Sequence, residues 1–438
     1  MQRVNRKIVL ATIGTLGDLH PFLALALALR DRGFTTVIAS AAEYRAKVEA
    51  AGIAFHAVRP SYDEVQRDLG MDRAELTRQT LAQGRFLFRK LLFSDLRASY
   101  QDMLTVSADA DLILTSSLAF AARLAAEKRG IPWIAVVLQP MLFVSAYDPP
   151  VIPRAEWLST VMRRLGPTPS AYVLSFVKAA VGKLFKPVHR LRQEIGLPPT
   201  RQNPLVDGQF SSAGAIALYS TVMGAVQPDY PAHTSVVGFA FFDSEDGTAA
   251  RLDARLEEFL SRGAAPLVFT LGSLVVNTPG TFFRESLAAA RQLKMRAVLL
   301  VGEKNVAEFA AAMPDVFVCA YAPHSLVFPR AALIVHQGGI GTLAQALRSG
   351  RPQLIVPFFA DQLDNASRAE KLGVARSLPP ERYTAQTACT ELRVLLRGER
   401  YAQRAASTAK TVAAEDGAAR AAAEILFRLR RIGHRPAA

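Results

Sequence analysis

Cysteine is nearly missing: Cys319 and Cys389 are the only two in 438 residues, and neither has a C-x-x-C neighbour. That spacing gives no disulfide framework and no zinc site, and makes a reducing cytoplasm the natural compartment. Long apolar runs are missing too, since no stretch approaches the roughly 18 uninterrupted residues of a membrane span. The basic start M-Q-R-V-N-R-K leads into the apolar run Ile8 to Ile13, which is short and has no small-residue cleavage site after it. It therefore reads as a first core strand rather than a leader. Acidic residues are in deficit, 38 against 52 Lys and Arg, for a formal net charge of +14. Such a surplus suits nucleic acid, an anionic membrane or an anionic small molecule. Helix-turn-helix, zinc-finger and RNP patterns are all lacking, so nucleic acid has no specific support. What the chain does have is a 50% hydrophobic composition, enough for two domains with full cores.

The most informative stretch runs from Leu333 to Ala366, L-I-V-H-Q-G-G-I-G-T-L-A-Q-A-L-R-S-G-R-P-Q-L-I-V-P-F-F-A-D-Q-L-D-N-A. Short apolar runs bounded by turn residues predict buried strands at Ala331 to Val335 and Gln353 to Val356. Between them Leu343, Ala346 and Leu347 recur at helical spacing, Gly350 sits where a C-terminal glycine belongs, and Pro352 prevents continuation. Gly338, Gly339 and Gly341 let the backbone turn tightly and approach a ligand, and Thr342 adds a hydroxyl where the first free helix N–H groups point. A helix start carries roughly half a positive charge, which suits a phosphate or diphosphate. His336, at the strand end, is expected to donate one more hydrogen bond to that anion. Asp361 and Gln362 follow the next strand at the same sheet edge, where α/β ligands gather, and suit sugar hydroxyls.

Taken together, H-x-G-G-x-G-T, G-x-P and D-Q-x-x-N-A resemble the donor-binding motif of family 1 glycosyltransferases, enzymes of the GT-B fold. That resemblance implies two Rossmann-like doubly wound α/β domains facing each other across a cleft. The expected division is residues 1–245 for the acceptor, 246–415 for the donor, and 416–438 as a helix returning to the first domain. The linker is placed at the acidic, glycine-containing Asp243 to Gly247.

Near the start, a strand over Lys7 to Ile13 is followed by a turn from Gly14 to His20, and Pro21 reads as the first residue of a helix ending at Gly33. The turn G-T-L-G-D-L-H-P matches the family's G-[HD]-x-x-P turn, which makes Asp18 the expected catalytic base; a helix-capping carboxylate is the other reading. His20 titrates near neutrality but stands two places further on, so it is the lesser candidate. Gly14 and Thr15 are counted among the donor contacts. The D-A-D at Asp109 to Asp111 enters a strand, whereas ligands belong at the far end, so no metal is expected.

Further resemblances extend the donor set. P-L-V-F-T-L-G-S is similar to the family's F-x-S-x-G-S strand end and implies a diphosphate contact at Ser273, with a turn serine satisfying its own backbone as an equal alternative. Y-A-P-H stands where plant members have W-x-P-Q, so Tyr321, beside Ala322, inherits the role of stacking on the nucleotide base; core packing is the alternative. Many members carry a ribose-binding Glu where this chain has Ala344, with Gln345 beside it. That departure counts against UDP and leaves room for dTDP, whose deoxyribose lacks one hydroxyl; both stay as donor nucleotides, with Gln345 as a neutral ribose contact. The pattern is most like the branch holding the rhamnosyltransferase of rhamnolipid synthesis and the bacterial sterol-type glucosyltransferases, which implies an apolar acceptor.

Two basic, aromatic stretches, Arg85 to Phe93 and Arg154 to Ile195, are expected to border the acceptor, through Phe86, Phe88, Trp157 and, between them, Phe143. Basic amphipathic helices can also lie on an anionic membrane, so peripheral contact at the inner face is a further expectation. The resulting reading is inverting, metal-independent transfer of a hexose or deoxyhexose, without a cofactor, from a UDP- or dTDP-sugar to a hydrophobic or lipid-like acceptor. A nucleotide-sugar epimerase of the same fold and a non-catalytic partner protein are the alternatives.

Overall fold

A computed structural model describes residues 6–243, 250–309 and 314–432. The chain forms two units, one of Met1–Asp72, Ala82–Phe242 and Glu415–Ala438, the other of Arg73–Leu81 and Asp243–Ala414. Beyond Asp243, the expected linker lies outside the described residues.

The first unit holds seven strands: β1 (Lys7–Ala11), β2 (Thr35–Ser40), β3 (Ala54–Ala57), β4 (Leu112–Ser116), β5 (Trp133–Val137), β6 (Ala215–Ala217) and β7 (Thr234–Val236). They form a sheet in the order β3-β2-β1-β4-β5-β6-β7, parallel at every pairing. The second unit holds β8 (Leu267–Thr270), β9 (Ala297–Leu300), β10 (Val316–Cys319), β11 (Leu333–His336), β12 (Gln353–Ile355) and β13 (Ala375–Ser377). Its order is β10-β9-β8-β11-β12-β13, again parallel throughout. Each sheet reverses its order beside its own first strand, β1 against β4 and β8 against β11, and such a reversal opens a crevice at the carboxyl ends.

The sequence reasons for this are direct. In the second sheet Leu267, Phe269, Leu299 and Val335 enter the core on one face, while Val268, Val298, Leu300 and Ile334 enter a separate core on the other. Because successive side chains alternate between faces, strands buried on both sides read as continuous apolar runs. The strands that escape notice in the sequence, β3, β7 and β13, are three or four residues of mixed character at or near sheet edges.

One boundary is corrected. The first helix runs Leu16–Arg30, not from Pro21. Thr15 caps it, and Asp18, at the third helical position, bonds back to the Thr15 backbone, a capping box that nucleates the helix earlier than the proline signal indicates. The helix Gly417–Ile432 packs on this same helix within the first unit. Its Arg428 donates to the carbonyls of Ala213 (3.1 Å) and Ala215 (3.3 Å) and to Ser235 Oγ (2.9 Å). A Cβ at Gly417 would lie 2.3 Å from the Gly238 carbonyl oxygen, so only glycine admits this approach.

Candidate functional site

In the second unit the carboxyl ends of four strands gather polar groups. After β11, the helix Ile340–Ser349 starts at Gly339 with no side-chain cap. Its first N–H groups therefore lack acceptors among the described residues and present the positive end of the helix. Gly338 makes the turn: its φ is 86°, and a Cβ there would lie 2.8 Å from Ile355 Cγ2 and 3.2 Å from the Gln362 carbonyl oxygen. After β8, the Ser273 hydroxyl bonds no described residue, so it is not spent on its own turn. Gln337 bridges these two loops. Its amide nitrogen lies 3.4 Å from Thr342 Oγ1, and Cβ atoms built at Gly272 and Gly339 would sit 2.3 and 2.7 Å from it.

The turn after β12 is tied to the same place. Asn365 Nδ2 donates to the Gly338 carbonyl at 3.0 Å and to Asp361 Oδ2 at 2.8 Å. Gln362 Oε1 accepts from the backbone N–H groups of Phe358 (2.8 Å) and Phe359 (3.1 Å), which leaves its amide N–H groups without a described partner. Between them Ala360 holds φ at 52°, a strained value of the kind found where structure over-determines a functional turn. After β10, Tyr321 is 41% exposed beside the His324 ring, so the core alternative fails. Tyr321 and Ala322 line a cavity of about 850 Å³ with Asp243, Asp253, Glu303, Arg251 and Arg255.

Two expected contacts are corrected. His336 is fully buried, with Nε2 2.9 Å from Gln353 Oε1 and Nδ1 accepting the Gly338 N–H at 3.0 Å. An N–H can only donate, so Nδ1 is unprotonated and Nε2 carries the proton to Gln353. Burial pushes the ring's pKa down to about 4, and both nitrogens serve the turn rather than an anion. Gln345 likewise gives its amide to Asp243 Oδ1. Neither partner, Gln353 or Asp243, was singled out by the motif.

In the first unit, Asp18 stands at the carboxyl end of β1, beside the switch to β4. Its Oδ2 accepts the Thr15 N–H at 2.8 Å and lies 3.3 Å from Thr15 Oγ1, whereas Oδ1 accepts from no described residue. Gly14 admits this carboxylate, since a Cβ there would lie 2.2 Å from Oδ2. Gly14 and Thr15 thus hold Asp18, and both belong to the first unit rather than the second, where the other expected donor residues lie. Burial outweighs these hydrogen bonds and raises the Asp18 pKa to about 6. For His20, burial and the nearby Lys47 charge lower it to about 4; its Nε2 is sealed without a partner and the ring lies 5.5 Å from that of Phe242. That nitrogen, being sealed, cannot reach an acceptor hydroxyl.

The expected acceptor aromatics do not converge. Phe143 is buried, stacked on Tyr230 at 4.0 Å and parallel to Phe210 at 5.6 Å. Phe88 packs into the core with Phe93 and Phe185. Phe86 ends a short helical turn, and Trp157 stands 67% exposed on the helix Glu156–Leu165. Isolated aromatic residues in a sequence carry no sign of which cluster they join. At the other edge of the first sheet, Asp109 pairs with Lys7 Nζ and Asp111 accepts the Lys7 N–H at 2.7 Å, so both carboxylates tie β1 to β4. Among the described residues no group of three or more His, Cys, Asp and Glu could hold a metal ion, and no helix is long and apolar enough to cross a membrane.

Comparison with known proteins matches both halves. Residues 8–147 fit the glycosyltransferase family 28 N-terminal domain, and residues 284–430 the erythromycin biosynthesis protein CIII-like C-terminal domain. The chain is 29% identical over 424 residues to an O-mycaminosyltylonolide 6-deoxyallosyltransferase of Streptomyces fradiae, covering 94% of each. It is 25% identical over 428 residues to a sterol 3-beta-glucosyltransferase of Arabidopsis thaliana, covering 95% of this chain and 67% of that one. Among solved structures, the calicheamicin glycosyltransferase CalG4 aligns with a TM-score of 0.70 at 18% identity, over 98% of this chain and 99% of that one. The glycosyltransferase VinC, solved with dTDP, aligns at 0.65 and 20%, over 97% and 100%. With a switch-point crevice in each sheet and both halves matched, the chain belongs to the family 1 glycosyltransferases of GT-B fold and is a glycosyltransferase.

Proposed function

We propose that this glycosyltransferase moves a hexose or deoxyhexose from a UDP- or dTDP-sugar to a hydroxyl of a hydrophobic or lipid-like acceptor, with inversion and without a metal ion. The observation that carries the reading is the uncapped start of helix Ile340–Ser349, with the unspent Ser273 hydroxyl and Gln362 amide at the same sheet edge. These are donors without acceptors, which is what a diphosphate and a sugar supply. The dTDP in the VinC structure and the sterol in the Arabidopsis relative's name agree with the nucleotide and the acceptor.

In the reaction, Asp18 Oδ1 takes the proton of the acceptor hydroxyl as its oxygen bonds the anomeric carbon from the face opposite the diphosphate. The bond from that carbon to the diphosphate breaks, and the electron pair leaves with the diphosphate. Its charge is met by the helix N–H groups and Ser273, which do the work a cation would otherwise do. Asp361 and Gln362 orient the sugar. A pKa near 6 leaves Asp18 mostly ionised at pH 7 while making it a stronger base than an ordinary aspartate.

The acceptor also bears on the exposed helices of the first unit. Trp157, Tyr172 (76% exposed) and Phe176 (83%) stand out in the same stretch of sequence as Arg163, Arg164, Lys183 and Lys186. Contact with an anionic membrane surface, where a lipid-like acceptor resides, follows from that combination.

The test pairs thermal stabilisation by UDP, dTDP, GDP and NAD with a transfer assay, on the natural chain and on Asp18→Asn. UDP or dTDP should stabilise both proteins alike, while transfer by Asp18→Asn falls roughly 10²- to 10⁴-fold. Stabilisation by neither nucleotide would remove the donor reading, and an active Asp18→Asn would remove the base.

A further inference from the structure

We propose that Asp243 is the acceptor for the 3′-hydroxyl of the nucleoside sugar in the donor site. This rests on the nucleotide-sugar reading above. Asp243 Oδ1 accepts from the Gln345 amide and Oδ2 accepts from Arg348 Nη2 at 2.8 Å. Both donors belong to the helix Ile340–Ser349, whose free start forms the anion site. Gln345 stands five residues into that helix, about 7.5 Å along its axis from the start at 1.5 Å per residue. The carboxylate also walls the cavity that Tyr321 and Ala322 line. The short helix His324–Val327, which follows them, packs on Ile340–Ser349. The helix therefore carries, in order, an anion-binding end and then a fixed carboxylate, and an exposed aromatic ring lines the same cavity as that carboxylate. Phosphate, sugar and base follow one another in a nucleotide in the same order.

The carboxylate is ready for this use. It offers about four lone-pair sites, of which the described residues take two, so a sugar hydroxyl can donate to it without displacing Gln345 or Arg348. Its orientation is already fixed by the two donors, so little ordering is lost on binding. The Gln345 Oε1 is buried without a partner, so that amide's service among the described residues is to Asp243. Asp253, another acid of the same cavity, is occupied as a helix cap, accepting from the Arg255 and Leu256 N–H groups.

The experiment measures Kd by titration calorimetry for dTDP and its 3′-deoxy analogue, or for the matching uridine pair if UDP is the better ligand. The natural chain should prefer the hydroxyl-bearing nucleotide by about tenfold or more. In Asp243→Asn that gap should close to within about threefold, with the 3′-deoxy Kd little changed. A gap that persists in Asp243→Asn, or no gap in the natural chain, overturns the proposal. If neither nucleotide binds the natural chain, the donor reading fails first and takes this one with it. Should Asp243→Asn fold poorly, Gln345→Met carries the same test, because it releases the carboxylate without removing it: the gap narrows if Asp243 is the acceptor and is unchanged if it is not.

Discussion

Asp18 holds two posts, one oxygen capping a helix and the other open. Its pKa of about 6 places a measurable limb in the pH profile. Because the ionised form is the base, kcat/KM should rise with pH through about 6 and level off above it. His20, lowered to about 4, cannot produce that limb. His20→Gln should therefore keep it, and its loss in that variant would return His20 to the mechanism. Stability moves the other way. A carboxyl whose pKa is raised on folding contributes stability that is full below about 3.8 and lost as pH rises through about 6. Asp18→Asn should thus gain stability over the natural chain at pH 7 and lose that advantage near pH 4, in thermal melts at the two values. The sequence singles out Asp18 by the G-x-x-x-P spacing, and it also contains the T-x-x-D capping pattern that moves the helix start. His336 and Gln345 were legible as members of a motif but not by destination, since their partners lie 17 and 102 residues away.

At the scale of elements, the turn between β11 and its helix is the most heavily built feature. It depends on His336 Nδ1 holding the Gly338 N–H, so His336→Ala should lower the unfolding free energy of the second unit by about 2–4 kcal/mol, from a cavity and two orphaned polar groups. Urea titration checks this. If stability is unchanged while nucleotide binding disappears, the ring is a ligand after all. The folded ring's pKa lies below its ordinary value, so stability here should also fall as pH drops from about 6.5 toward 4, where the unfolded chain takes up the proton first. The central strands were legible because burial on both faces writes an unbroken apolar run. Strands β3, β7 and β13, reading A-F-H-A, T-S-V and A-R-S, were not, because a short strand at or near a sheet edge is fixed by its neighbour rather than by its own composition.

For the whole molecule, the formal charge of +14 and the exposed Trp157, Tyr172 and Phe176 make a joint prediction. The protein should sediment with vesicles containing phosphatidylglycerol at low salt, less so as salt shortens the screening length, and weakly after Trp157→Ser with Phe176→Ser. Binding that ignores both salt and those substitutions would detach the patch from the membrane. The two-unit α/β plan was readable from alternating strands and helices. The helix Gly417–Ile432 beneath Leu16–Arg30 was reachable only by analogy, since nothing local announces which sheet a late helix covers. That packing sets a timetable. At roughly 5–20 residues per second, the ribosome delivers residues 417–432 about 20 to 80 seconds after the helix that starts beside Asp18. Residues 243–414 of the second unit are made in between, so the first unit cannot complete its packing until synthesis of the second is over.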